Sequence, residues 1–222
     1  MRGQTRVART RGGILRCGDR FLQSIEATRQ KATKREHRIM YGMVNRAVEE
    51  MVLMHHDAET WERIKAKAGI DAEEFMSHEA YPDEMTYRLV AAAADCLDLP
   101  AEQILEAFGE HWVLVTAQNG YGAMMDAGGR SLPEFLRNLP GFHARVLLIF
   151  PNLKPPLFRV SDVTDRSLHL HYYSHRPGLA PFVVGLVRGL AARFGTTADI
   201  EVVASRDDGA DHDEFLVTWS PV

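Results

Sequence analysis

Ser167-Leu168-His169-Leu170-His171-Tyr172-Tyr173-Ser174-His175-Arg176 is the stretch whose alternation decides the fold. With a period of two it makes a strand of about ten residues with unlike faces. Leu168, Leu170, Tyr172, Ser174 and Arg176 share one face; His169, His171, Tyr173 and His175 share the other. The first face begins apolar and so points inward, yet it ends in a phenol, a hydroxyl and a guanidinium. A buried guanidinium is costly unless an anion meets its fork of donors. Tyr172, Ser174 and Arg176 therefore outline a pocket for a carboxylate or a phosphate.

The flanking segments alternate in the same way. Strands are expected at 157–163, 200–205 and 214–219, with a helix carrying Phe182, Val183, Leu186, Val187, Leu190 and Phe194 between them. Upstream, Met40, Val44, Ala47, Val48 and Met51 recur at helical spacing, and further short helices are expected at 59–68, 84–97 and from Pro100 to about Thr116. Gly69 reads as a helix C-cap and Pro82 as a first-turn proline. Ser131-Leu132-Pro133-Glu134 opens another helix, interrupted at Asn138-Leu139-Pro140-Gly141 and restarted at Phe142. Helices followed by an antiparallel sheet make an α+β fold: an N-terminal helical subdomain, then a four-stranded antiparallel sheet with packed helices.

Charge divides the chain unevenly. Residues 1–39 hold nine Arg and two Lys against Asp19, Glu26 and Glu36, a net +8 where the whole chain is −4, so the remainder is −12. The basic stretch reads as a disordered extension, or as an upstream start with Met40 the true one. An acidic body argues against nucleic acid as the main ligand. The run Val146-Leu147-Leu148-Ile149-Phe150 is far too short to cross a membrane, and cytoplasmic residence is expected. Cys17 and Cys96 lack the spacing of a zinc ribbon or a disulfide framework.

His143 sits where a helix restarts, among Phe142, Val146, Leu147 and Phe150. A lone histidine on an apolar helix face is more often core than ligand. The kink at Pro140-Gly141 can aim it into a cavity, and Pro155-Pro156 supplies a stiff wall between it and the polar trio. An imidazole opposite a Tyr/Ser/Arg clamp in an apolar cavity suits haem, with a ring nitrogen for iron and polar groups for the propionates. His169, His171 and His175 share a strand face and could gather a metal, although a solvated polar face is the commoner outcome. Asp207, Asp208, Asp211 and Asp213 resemble a calcium loop in composition only.

Three motifs in order carry a family resemblance: Met40-Tyr41-Gly42-Met43-Val44, then His143 a dozen residues before Pro155-Pro156, then Tyr172-Tyr173-Ser174-His175-Arg176. The chain resembles the H-NOX (haem nitric oxide/oxygen binding) domains of bacteria, related to the haem domain of soluble guanylate cyclases. The resemblance covers residues 40–222, with 40–105 as a distal helical part, 106–222 as the proximal helix and sheet part, and haem b (iron protoporphyrin IX) between them. It implies His143 as iron ligand, Tyr172, Ser174 and Arg176 as propionate partners, and Pro156 as the residue that presses the macrocycle out of plane. Leu147 would line the proximal side; Val44, Val48, Trp112 and the helix carrying Pro181 would make the distal wall. Oxygen-binding members have a distal Tyr where this chain has Pro181.

The function implied is a non-enzymatic sensor that binds NO and CO at ferrous haem and excludes O₂. Weakening of the iron–His143 bond and relaxation of the haem would carry the signal to a separate protein, in this family typically a histidine kinase or a cyclic-di-GMP enzyme. The rival expectation is a haem-free module that holds a small anion with Tyr172, Ser174 and Arg176.

Overall fold

The computed structural model describes residues 18, 21–23, 25, 26 and 39–221 of the 222. A short strand β1 (Ile39–Tyr41) leads into α1 (Gly42–His55) and α2 (Ala58–Ala68). Asp57 caps α2 by accepting from the Thr60 N–H at 2.8 Å, and Gly69 ends it at φ 64°, the left-handed conformation glycine adopts at no steric cost. Strand β2 (Ala80–Pro82) pairs antiparallel with β1 and turns straight into α3 (Asp83–Leu97), followed by α4 (Ala101–His111). The chain then makes one wide turn, Trp112–Ala117, with π-helical geometry, and continues as α5 (Gln118–Asp126). After α6 (Leu132–Arg137) and α7 (Leu139–Ile149) come β3 (Leu157–Ser161), β4 (Ser167–Tyr173), α8 (Ala180–Arg193), β5 (Thr196–Ala204) and β6 (Asp213–Pro221).

The last four strands form one antiparallel sheet in the order β3-β4-β6-β5. On its inner face Leu168, Leu170 and Tyr172 of β4 and Phe215 and Val217 of β6 are buried, as their alternation requires. Two apolar cores result. One gathers α1 to α4 around Val48, Ile64, Leu89 and Phe108; the other gathers α5 to α8 and the sheet around Leu136, Phe158, Leu170 and Phe215.

Helices α4 and α8 join the two cores at backbone distance. A Cβ on Gly109 would stand 2.2 Å from the Phe182 carbonyl oxygen, and one on Gly185 would stand 2.0 Å from that of Glu106. Neither obstacle is a movable side chain, so both positions must lack a Cβ.

Several sequence expectations shift. β4 stops at Tyr173, so Ser174 and Arg176 lie in the bend beyond it. β1 and β2 occupy residues assigned to helix starts, and Pro82 precedes α3 instead of opening it. β3 is shorter than expected; β5 and β6 are longer. The expectation for residues 1–39 falls mostly outside the described residues. The few described there are helical: Ile25 is buried against Gly178, and Phe21 stands 6.2 Å from the Tyr87 ring, so this part lies on the body rather than free of it. Among the described residues no helix is long and apolar enough to cross a membrane.

Gly185→Ala is expected to force α8 away from α4 and to lower unfolding free energy by about 1–3 kcal/mol, measured by urea denaturation beside an exposed control such as Gly120→Ala.

Candidate functional site

A cavity of about 210 Å³ lies between the two cores. Val44 of α1, Val90 of α3, Leu105 and Phe108 of α4, Trp112 of the wide turn and Phe182 and Leu186 of α8 line its apolar wall. His143 of α7 enters beside Pro155, Pro156 and Phe158, while Tyr172, Ser174 and Arg176 close the polar end. A smaller apolar space of about 100 Å³ adjoins it, sharing Trp112, His143 and Phe158 as walls.

His143 is half-buried, with its ring 5.9 Å from that of Phe158. Burial drives its pKa down to about 4, against a smaller upward pull from a hydrogen bond to the Pro156 backbone. Proline offers only its carbonyl, so the imidazole N–H is the donor. The ring is thereby neutral, its tautomer is set, and its second nitrogen keeps a lone pair. That is the arrangement by which proteins orient a metal-binding imidazole.

At the other end, burial raises the Tyr172 pKa, so its hydroxyl, bonded to that of Ser174, stays protonated. The Arg176 N–H donates to the Ser174 Oγ at 3.0 Å, and Arg206 binds the Ser174 carbonyl. The Arg176 guanidinium does not wait for an external anion. Its Nε–H donates to Asp83 Oδ2 at 3.0 Å, Nη2 to the Ile39 carbonyl at 2.8 Å and to Asp83 Oδ1 at 3.5 Å, and Nη1 to the Lys154 carbonyl at 3.1 Å. One of its five N–H groups is left without a partner among the described residues. Both side chains of the pair are buried, 7% exposed for Arg176 and 1% for Asp83. The anion inferred from Arg176 is thus supplied, in part, by the protein itself.

Of the residues singled out by sequence, the structure brings together His143, Tyr172, Ser174, Arg176, Pro156, Val44 and Trp112 around one cavity. It does not bring Leu147, Val48 or Pro181 to the cavity wall. Val48 is fully buried among the residues of the helical core, one turn past Val44. Pro181 lies at the start of α8, where its neighbour Phe182 faces in instead. Leu147 is half-buried on α7 away from the lining.

Asp83, Thr86 and Tyr87 were missed. They read as an ordinary acidic helix start, since their partners are far off in sequence: Asp83 meets Arg176, Thr86 donates to Asn45 Oδ1 at 2.6 Å, and Tyr87 donates to the Pro177 carbonyl at 3.0 Å. The only local hint was polar residues on a face that also carries Leu89 and Val90.

A sequence model of the haem-NO-binding family matches residues 41–202. The chain belongs to the haem-NO-binding family. Among curated relatives of this family member, it is 31% identical over 183 residues to soluble guanylate cyclase gcy-35 of Caenorhabditis elegans, covering 81% of this chain and 26% of that protein. It is 34% identical over 122 residues to the soluble guanylate cyclase subunit beta-2 of Rattus norvegicus, covering 52% of this chain and 18% of that one. The chain therefore spans about a quarter or less of the length of these relatives. Its fold is that of solved H-NOX proteins. One from S. oneidensis superposes with a TM-score of 0.75 at 20% identity, covering 82% of this chain and 96% of that one. One from K. algicida gives 0.73 at 21% identity, covering 82% and 98%.

Two measurements test the geometry of this site. Asp83→Ala leaves a buried guanidinium unpaired and should cost about 3–5 kcal/mol in urea unfolding, with Asp83→Ala/Arg176→Met more stable than Asp83→Ala alone. A pKa near 4 for folded His143, against about 6.5 unfolded, means the native haem-free state binds fewer protons between those values. Stability is then full above pH 6.5 and falls as pH drops toward 4, and His143→Phe should flatten that window in paired unfolding series.

Proposed function

We propose that this chain senses diatomic gases through ferrous haem, taking NO and CO and excluding O₂. His143 would hold the iron, and Tyr172, Ser174 and Arg176 would hold the propionates. The observation that carries the proposal is the neutral His143, with its N–H tied to the Pro156 carbonyl, across one apolar cavity from that polar trio. A haem held in this cavity would supply a ferrous iron able to take a diatomic gas.

The residues present fit such a group at both ends. His143 offers one lone pair and is oriented by Pro156, so a pull on the imidazole is felt by α7 and by the Pro155-Pro156 segment together. Tyr172 offers a protonated phenol, and Arg176 offers one unused N–H beside its tie to Asp83. A carboxylate bound here shares Arg176 with Asp83 or competes for it. Asp83 belongs to the helical part and Arg176 to the sheet part, so that competition couples occupancy to the seam between them.

Selection against O₂ follows from the wall. A pocket retains O₂ by presenting a hydrogen-bond donor, while NO and CO depend on one far less. The hydroxyl hydrogens of Thr86 and Tyr87 are already given to Asn45 and Pro177. Val44, Val90, Leu105, Phe108, Phe182 and Leu186 have none to give. Trp112 brings an indole N–H, and in this reading it serves as an aromatic wall.

Signalling is a two-state matter. Gas binding shifts the seam only so far as it favours one arrangement over the other. The recipient is a separate protein, and the family resemblance favours a histidine kinase or a cyclic-di-GMP enzyme, with no catalysis in this chain. The haem-free anion module is the weaker reading, since Asp83 already meets Arg176.

Purified protein should be red, with a Soret band that moves on anaerobic addition of CO or NO and not with O₂. His143→Gly should lose the band and regain it with free imidazole; a colourless wild type, or a band indifferent to His143, refutes the assignment. Phe182→Tyr adds one hydroxyl to the wall and should produce a stable O₂ spectrum, whereas Trp112→Phe should leave O₂ exclusion unchanged. Loss of exclusion in Trp112→Phe would mean the indole, not the missing donors, governs the choice of gas.

A further inference from the structure

The outer face of the sheet carries a second cluster, on the opposite side from the cavity. His171 of β4 stands directly across from Glu214 of β6, and His212 precedes Glu214 by two residues, the spacing that returns a side chain to the same face. One ligand atom from each of His171, His212 and Glu214 lies within 4.8 Å of the other two, and all three residues are half-buried.

The hydrogen bonds around the cluster fix where its protons are. His212 Nδ1 faces Asp211 Oδ1 at 2.5 Å. A carboxylate oxygen accepts, so His212 gives its Nδ1–H to Asp211 and turns Nε2 toward His171. His171 Nε2 faces Ser161 Oγ at 2.8 Å, and Ser161 gives its own hydroxyl hydrogen to Asp162 Oδ2, also at 2.8 Å. Ser161 has one hydrogen to give, so it accepts from the His171 Nε2–H, and His171 Nδ1 faces His212.

The two nitrogens turned toward each other, His171 Nδ1 and His212 Nε2, are 2.9 Å apart. Contact at that distance needs a positive centre between them, a shared proton or a metal ion. Glu214 adds negative charge at the same place, its Oε1 held by His169 Nδ1 at 2.6 Å. Tyr173 stacks on the His212 ring at 4.3 Å and keeps it in position, while Arg159, the nearby cation, has its guanidinium 5.6 Å over the Tyr173 ring.

We propose that His171 Nδ1, His212 Nε2 and Glu214 bind a zinc-like divalent cation on the outer face of the sheet, with water completing the set. Two imidazoles and a carboxylate are donors that zinc accepts. Asp211 on His212 and Ser161–Asp162 on His171 are the outer partners that orient metal-binding imidazoles. Tetrahedral zinc with bonds of about 2.0–2.1 Å places two nitrogens about 3.4 Å apart, so the pair opens by about half an ångström, within reach of side-chain rotation. The site does not depend on the haem reading, because no cavity residue takes part.

The test is a calorimetric titration of zinc chloride into chelator-treated, haem-loaded full chain. One equivalent should bind with the Soret band unmoved. His212→Gln should weaken binding 10-fold or more, and Asp211→Asn, at an 82% exposed side chain where folding is not at stake, should weaken it about 10-fold. His55→Ala/His56→Ala, at an exposed helix end, should leave it unchanged. Nitrogen-15 NMR of the metal-free protein should find the protons on His171 Nε2 and His212 Nδ1. Zinc affinity indifferent to both cluster variants, no zinc binding at all, or a proton shared between the facing nitrogens would each overturn the proposal.

Discussion

The buried ion pair between Arg176 and Asp83 is the interaction on which the arrangement of this molecule depends. The Arg176 N–H groups also donate to the Ile39 and Lys154 carbonyls, so one guanidinium fastens β1, the start of α3, the segment before β3 and the bend after β4. Those four pieces come from residues as far apart as 39 and 176. Burying two charges is rarely the cheapest route to stability, since desolvation consumes much of the attraction. What the pair supplies is register: with Asp83 in place, the helical part and the sheet part meet in one way.

The second constraint is steric. Gly109 and Gly185 let α4 and α8 touch along their backbones, which fixes the spacing of the two cores and hence the width of the cavity between them. His143 is then held from one side by the Pro156 carbonyl, and the polar trio is held from the other by Asp83 and Arg206. The polar end is thus positioned by groups outside the cavity, and His143 by one that lines it.

How much of this was legible in the sequence depended on how local the cause was. The alternation of Leu168, Leu170 and Tyr172, the helical stripe of α1, the Gly69 cap and the sheet-after-helices order all rest on neighbours in the chain, and all are present. Three-residue strands such as β1 and β2 carry too few positions for periodicity to register, so they were absorbed into adjacent helices. Asp83 could not be matched to Arg176 because 93 residues separate them and an acid in a helix's first turn needs no further reason. The motif placed His143, Tyr172, Ser174 and Arg176 around one cavity, but it could not resolve which turn of α1 or which residue of α8 faced inward: Val48 lies one turn past the lining Val44, and Pro181 one residue before the lining Phe182. The His171–His212–Glu214 cluster drew two members from beyond the strand whose histidines suggested a metal, so the sheet register was needed to assemble it.

The wide turn at Trp112–Ala117 has a consequence of its own. A π-helical turn inserts one residue relative to a regular helix, so the side chains that follow it, up to a kink at Tyr121, are rotated by about 100° from where an unbroken continuation of α4 would set them. The phase of the first core and the phase of the second are therefore offset by one amino acid at the point where the chain passes between them. Trp112, at the start of the turn, borders both cores, and Met125, beyond it, belongs to the second. Deleting a single residue within the turn would leave both helices intact in length and composition, yet reset the face that the start of α5 presents.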